Sequence, residues 1–318
     1  MENSLKPTVV VSKCLGFANC RFDGQGTHDD FVKKLEPFVN FITVCPEVEI
    51  KLGIPRETIR VVLENSEYIL YQPATGKELT EEMNLFSNEF LSSLTEVDGF
   101  ILKGRSPSCG IKDVKVYLGK EKTTGSKKGM GFFAKSVTEK YPFKAIEEEG
   151  RLKNFRLREH FLTKLFTLFN FQKVKTLGSM AELVKFQSDN KYLLMAYHQT
   201  HQKTLGKIVA NHERKNFDEL IKEYEYYLEM VFLNPPRYTS IINALQHIFG
   251  YFSKDLSAKE KDFLLNTFEE YRSKKVPLSV PLHLLKSYAI QFKEDYLLSQ
   301  TIFNSYPEDL IDISDSGK

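Results

Sequence analysis

Four residues in this 318-residue chain have side chains soft enough to bind a metal or attack as a nucleophile: Cys14, Cys20, Cys45 and Cys109. All lie in the first 109 residues, and none follows. A disulfide scaffold would be shorter and denser in cysteine. Three readings remain open. The thiols are buried small hydrophobes, or one is a nucleophile, or several hold a metal centre. A thiol nucleophile wants a histidine beside it, and the first half offers only His28, at a helix start. A closed zinc site would show paired C-x-x-C knuckles, and the chain has none.

The elements around these cysteines bring three of them together. Thr8 to Ser12, Phe38 to Val44 and Gly99 to Leu102 are apolar, β-branched or aromatic runs suited to buried strands. His28 to Glu36, Thr80 to Leu94 and Gly129 to Tyr141 read as helices, with Thr80 as an N-cap. Thr58 to Leu63 and Tyr68 to Tyr71 read as a hairpin turning near Asn65-Ser66. Strands alternating with helices imply a parallel sheet with right-handed crossovers. Cys14 and Cys45 follow the first two strands directly, and Cys109 follows the third within a Gly/Pro-containing loop. In open α/β sheets, ligands bind outside the carboxyl ends of the strands, so the spacing predicts that Cys14, Cys45 and Cys109 converge on one crevice.

The second half has no comparable strand signal. Leu157, Phe161, Leu165 and Phe169 follow an i, i+4 course. Helical patterns continue over 180–186, 191–210, 217–232, 238–252, 258–273, 282–292 and 295–299, with a loose tail beyond Asp309. The expected fold class is an α/β parallel-sheet N-terminal domain, residues 1–148, followed by an all-α C-terminal domain, residues 149–318. The boundary is expected near Glu147 to Leu152. His198-Gln199 and Gln246-His247 sit inside apolar helices, where such residues are either satisfied buried pairs or ligands.

Charge is balanced, with 44 Lys and Arg against 42 Asp and Glu. Bulk charge therefore announces no partner, although a local basic face is compatible with it. No apolar run reaches the ~20 residues of a membrane span, and the N-terminus has no secretory pattern. The expectation is a cytoplasmic protein with no membrane partner.

Four motifs occur in order: Ser12-Lys13-Cys14-Leu15-Gly16, Cys20-Arg21-Phe22-Asp23-Gly24, Val44-Cys45-Pro46-Glu47, and Leu102-Lys103-Gly104-Arg105-Ser106-Pro107-Ser108-Cys109-Gly110. Together they resemble the TudS-type thiouracil desulfidase family over about residues 7–148. Arg158-Glu159-His160-Phe161, Lys191 to Ala196, Leu245 to Phe252 and Val276 to Pro281 are similar to the helical YbgA-type domain. Chains joining the two resemble RudS-type tRNA 4-thiouridine desulfidases.

The resemblance implies a [4Fe-4S] cluster held by Cys14, Cys45 and Cys109 alone, with one iron open to a substrate sulfur. Cys20 matches a family cysteine near the cluster that does not ligate. Glu47 matches the glutamate of a C-P-E motif and is the implied general base for an attacking water. Ser106, Ser108 and Lys103 are the other implied catalytic residues. Arg21, Asp23 and Arg105 lie near the site; Arg21 and Asp23 either contact substrate or pair with each other. The substrate implied is a thiolated tRNA, yielding uridine and hydrosulfide by hydrolysis without net electron transfer. Lys191, Lys207, Arg237 and Lys254 are candidate phosphate contacts, and Tyr251 a candidate base-stacking ring. Lys120, Lys122, Lys127 and Lys128 read as a solvated loop or a tRNA-backbone contact. Two alternatives stand beside this reading. One is a desulfidase of free thiolated nucleobases such as thiouracil. The other is a non-enzymatic iron–sulfur sensor that binds nucleic acid, with Cys20 closing the cluster as a fourth ligand.

Overall fold

The computed structural model describes residues 5–121, 125–312 and 314. Their contacts divide the chain into two compact units. One runs up to Leu165 and includes the residues from Asp309 onward; the other is Phe166–Glu308.

In chain order the first unit contains β1 (Thr8–Ser12), α1 (Asp30–Leu35), β2 (Asn40–Val44), α2 (Pro46–Glu49), β3 (Arg60–Glu64), β4 (Glu67–Gln72) and β5 (Lys77–Glu78). It continues with α3 (Thr80–Ser93), β6 (Gly99–Leu102), β7 (Val114–Tyr117), β8 (Ser126–Gly129), α4 (Phe132–Lys140) and β9 (Ala145–Glu148). Strands β2, β1, β6 and β9 lie side by side in that order, all parallel. The three apolar runs of the sequence are its first three strands. Val9, Val10, Val11, Phe100, Ile101 and Leu102 are fully buried, as a sheet covered on both faces requires. Each such side chain contributes roughly 1.5–3 kcal/mol relative to exposure.

The fourth strand was not anticipated. The expected boundary near Glu147 falls on β9, whose acidic residues hide a strand. A second sheet, in the order β5-β4-β3-β7-β8, builds on the anticipated hairpin. Asn65 and Ser66 both have positive φ, at 49° and 69°, which matches the twist of a tight two-residue hairpin. Two local expectations are corrected. Leu79, not Thr80, holds the N-cap position of α3. Thr80 Oγ1 instead accepts the Leu70 N–H at 2.9 Å, tying the helix start to β4. The helix expected from Gly129 begins at Phe132, because Lys127, Lys128 and Gly129 pair with β7.

From α5 (Phe155–Leu177) onward the chain is helical: α6 (Met180–Asp189), α7 (Lys191–Ala210), α8 (Phe217–Val231), α9 (Tyr238–Phe249), α10 (Ala258–Arg272), α11 (Ser279–Gln291) and α12 (Asp295–Leu298). Within Phe166–Glu308, one apolar cluster joins α7 to α9, α10 and α11 through Tyr192, Leu245, Phe268 and Leu285. Another joins α5 to α6, α7 and α8 through Phe171, Leu183, Leu205 and Tyr224. No described helix is long and apolar enough to cross a membrane.

The tail beyond Asp309 is not loose where it is described. Leu310 is buried. Arg158 Nη2 donates to the carbonyls of Asp312 and Ser314, both at 2.6 Å, and Lys34 Nζ to that of Ile311 at 3.1 Å. A guanidinium gripping carbonyls leaves no periodic trace in a sequence.

Candidate functional site

Parallel register decides where the cysteines meet. Ser12 pairs with Val44, and Val11 with Ile101, so β1, β2 and β6 end side by side. Lys13 N donates to Val44 O at 2.8 Å, and Lys103 N to Ser12 Oγ at 2.9 Å. The segments carrying Cys14, Cys45 and Cys109 therefore leave the sheet at one edge. Cys45 occupies the N-cap position of α2, where Pro46 starts the turn that presents Glu47. The loop bearing Cys109 is held against α4: Phe132 N donates to Pro107 O at 3.1 Å and Ala134 N to Ser108 O at 3.0 Å. A Cβ on Gly131 would lie 2.5 Å from Ser108 O, so only glycine permits that approach.

All four cysteines are buried and free. Cys45 Sγ donates to Cys20 O at 3.7 Å, and Ser108 Oγ lies 3.7 Å from Cys109 Sγ. Burial pushes the Cys14 and Cys45 thiols up to about 12. For Cys14 the next causes are the neighbouring Cys20 and Cys45 thiols; Lys103 pulls the other way. For Cys45 a Val48 N–H opposes the rise, and Cys20 and Glu47 add to it. Cys109 rises too, chiefly through burial and against a hydrogen bond from Ser12, with Cys14, Glu47 and Cys45 adding to it. The thiols thus sit within electrostatic range of one another, in surroundings that penalise isolated thiolates. A cationic centre would remove that penalty. Among the described residues no three His, Cys, Asp or Glu side chains close on a point that would hold a single ion. An iron–sulfur cluster is held by cysteine thiolates on separate irons, and grouped buried thiols are the donor set such a cluster takes. The rival nucleophile reading finds no support: His28 pairs with Asp30 at 2.9 Å, both exposed.

Glu47 is the polar centre of the site. Its Oε2 receives Arg56 Nε at 2.9 Å and Arg56 Nη2 at 2.8 Å. Its Oε1 receives Ser108 Oγ at 2.7 Å and Ser106 Oγ at 3.3 Å. The two hydroxyls lie 2.9 Å apart. Ser106 Oγ also accepts the N–H groups of Ser108 and Cys109, both at 3.2 Å. Glu47, Ser106, Ser108 and the Cys109 loop therefore form one network. The arrangement offers a carboxylate anchored by four donors beside grouped thiols, with the Ser106 contact the longest of the four.

The other sequence-derived residues distribute unevenly. Lys103 pairs with Glu149, not Glu47. Arg105 is exposed, at φ 61°, and its charge acts on Asp113. Arg21 and Asp23 pair with each other at 3.5 Å. A groove of about 480 Å³ lined by Phe17, Asn19, Gly26, Thr27 and His28 opens beside the Cys14–Cys20 loop. Arg56, Glu149 and Ser12 were missed. Arg56 follows a Gly53-Ile54-Pro55 turn, which is the one local signal that a side chain there is placed deliberately.

In the helical unit Lys191 Nζ lies 5.2 Å from the Tyr192 ring centre. Tyr192 OH donates to Tyr251 OH at 3.1 Å, and the Tyr251 ring stacks on Tyr296 at 6.1 Å. Lys254 is exposed just after Tyr251. Lys207 on α7 and Arg237 at the N-cap position of α9 are exposed, and no described contact joins them to this group. The buried-pair reading of the His–Gln dipeptides is corrected: His198, Gln199, Gln246 and His247 are all exposed. His198 breaks α7 with extended φ/ψ, and its Nδ1 accepts the His201 N–H at 3.2 Å, capping the second half of the helix. Of the lysine-rich stretch, Lys120 pairs with Glu64 and Lys128 with Asp113, each at 2.7 Å. Lys127 and Lys128 belong to β8 rather than to a loop. Lys122 lies outside the described residues.

Comparison with known proteins agrees with this two-part architecture. Residues 9–149 match the family described as 2-thiouracil desulfurase. Residues 191–307 match a family described as a protein of unknown function, DUF1722. The chain joins a desulfurase-type domain to a YbgA-like helical domain. Among its relatives, the protein YbgA of Escherichia coli (strain K12) is 26% identical over 164 residues, which span 51% of this chain and 96% of that protein. YbbK of Bacillus subtilis (strain 168) is 29% identical over 109 residues, spanning 32% of this chain and 72% of that one. A solved structure described as the [4Fe-4S]-dependent thiouracil desulfidase TudS aligns with a TM-score of 0.36 at 22% identity. It covers 46% of this chain and 93% of its own.

Proposed function

We propose that the protein is an iron–sulfur-dependent desulfidase acting on 4-thiouridine in tRNA. The observation that carries the reading is the Glu47 carboxylate, anchored at both oxygens beside four grouped, buried thiols. Cys14, Cys45 and Cys109 would hold a [4Fe-4S] cluster, with Cys20 close by. When bound, the cluster supplies an electrophilic iron with affinity for the substrate sulfur.

The chain's own residues then perform a hydrolysis. Glu47 Oε1 has a lone pair free when Ser106 turns its hydroxyl proton to Ser108, 2.9 Å away, and it then takes a proton from water as the oxygen attacks the thiocarbonyl carbon. The C–O bond forms and the C–S bond breaks. Sulfur leaves as hydrosulfide carrying the second water proton, Glu47 returns the first to solvent, and uridine with its new carbonyl remains. No electrons enter or leave. Ser106 and Ser108 keep Oε1 aimed at the attack site. The pair of Lys103 with Glu149 holds the approach loop. A thiolated base within folded tRNA must be exposed before reaction. The helical domain, with Lys191, Tyr251 and Lys254 on one patch, gives the protein a means to grip such a substrate.

The matched family's description favours a second reading, in which free thiouracil is the substrate. The deciding experiment is sulfide release by the anaerobically reconstituted protein. Thiolated tRNA and free 4-thiouracil are supplied separately at equal thiobase concentration. Release from the free base alone would sink the tRNA reading.

A further inference from the structure

We infer that Arg56 is a positioning residue that selects which oxygen of Glu47 faces the reacting water; this rests on the reading of Glu47 as general base. An arginine that merely neutralises a carboxylate usually meets both oxygens with its fork. Here the fork does not. Nε and Nη2 both converge on Oε2, at 2.9 and 2.8 Å. Oε1 is left entirely to Ser108, at 2.7 Å, and Ser106, at 3.3 Å. The carboxylate is thereby divided into an oxygen fixed by the arginine and an oxygen met only by hydroxyls, which can turn aside for water.

The rest of the guanidinium fixes the fork itself. Nη1 donates to Cys20 O at 3.0 Å and to Gly53 O at 3.1 Å. The Arg56 backbone N–H donates to Phe22 O at 2.9 Å. Its side chain is 3% exposed, against 12% for Glu47. Cys20 O also receives the Cys45 thiol at 3.7 Å. One arginine therefore ties the base to the loop that lies against the thiols. A lysine has the charge but not the planar fork needed to hold Oε2 and two carbonyls together. Misplacing a catalytic group by about 1 Å costs on the order of a hundredfold in rate.

The test uses the full chain, reconstituted anaerobically. Arg56→Lys should lower kcat about 100-fold while KM stays within about threefold, the pattern of lost transition-state positioning. Iron content and the visible spectrum should match the parent protein. Arg56→Ala should be partly rescued by added guanidinium, with saturation. Glu47→Gln should show no such rescue. A second readout needs no cluster. Denaturant unfolding of the apo-protein as Glu47→Gln, Arg56→Lys and the double variant should show non-additive losses.

A kcat for Arg56→Lys within about threefold of the parent would overturn the positioning role. So would a fall in activity matched by an equal fall in iron content, or additive unfolding losses. If the parent protein releases no sulfide from either substrate, the proposed reaction fails instead. The unfolding cycle then still decides whether Arg56 and Glu47 act as a unit.

Discussion

Glu149 closes on Lys103 across the sheet edge where the cysteine loops emerge. One carboxylate oxygen meets Lys103 Nζ, and the other takes the Gly104 N–H at 2.6 Å. Glu148, its neighbour, accepts the N–H groups of Ile111 and Lys112. Two consecutive glutamates at the end of β9 thus pin both ends of the segment that carries Ser106, Ser108 and Cys109. Glu149→Gln keeps the shape but weakens the charged contacts. The expected loss is about 1–3 kcal/mol, read by urea unfolding of the apo-protein. Iron retention after reconstitution should also fall. An unchanged unfolding midpoint would show that the loop is held elsewhere.

The cysteines separate by role. Serine at position 14, 45 or 109 should remove nearly all iron after anaerobic reconstitution. Cys20→Ser should keep iron content and sulfide release near the parent level. Loss of iron in Cys20→Ser would instead indicate a closed, four-thiolate cluster and favour the sensor reading.

Glu47→Gln should retain iron and lose activity by about 10²–10⁴-fold, the range for a general base. Retained turnover would leave Glu47 without a place in the reaction.

The raised thiols make a pH prediction for the apo-protein. Cys14 and Cys45 are held up to about 12 in the folded chain, against an ordinary 9.0. Between those values the folded state keeps protons that the unfolded state has released. The stabilisation is therefore complete below about pH 9 and is lost as pH rises toward about 12. Other groups titrate there too, so the measurement is a difference. The stability gap between apo parent and Cys14→Ser should shift against the parent as pH rises above 9.0. Parallel curves would contradict the assignment. Cluster loading must displace these protons, so reconstitution should be faster at higher pH.

Gly131→Ala tests the seat of the cysteine loop. The new Cβ would press on Ser108 O, and backbone cannot swing aside as a side-chain tip can. A loss of about 1–3 kcal/mol is expected, with reduced iron content. An alanine variant of normal stability and iron content would show that α4 tolerates a shift.

Much of this candidate site is legible in the sequence. Buried strands announce themselves as continuous apolar runs, and Cys14, Cys45 and Cys109 stand just past them. Glu47 and the serines are singled out by the family resemblance that the motifs carry, and the structure brings them into one network. Arg56 and Glu149 do not, because each acts across a gap in sequence. Arg56 depends on how a turn after α2 folds back, and Glu149 on a strand whose Glu147 and Glu148 disguise it. β7 and β8 escape for a related reason: Lys115 and Lys128 lie on the exposed side of a sheet buried on its other face, and Lys127 is exposed on its edge strand, so the apolar signal is thin. His198 shows the opposite failure. Its apolar neighbours suggested burial, yet a break in α7 places it outside, where its ring caps the helix.

The segment from Asp309 onward bears on how the protein is made. Leu310 and the carbonyls gripped by Arg158 belong to the same compact unit as the cysteine-bearing sheet, yet they leave the ribosome only after the whole helical unit has been synthesised. That unit is therefore completed by contacts 154 and 156 residues apart in sequence, and closing so long a loop is intrinsically slow.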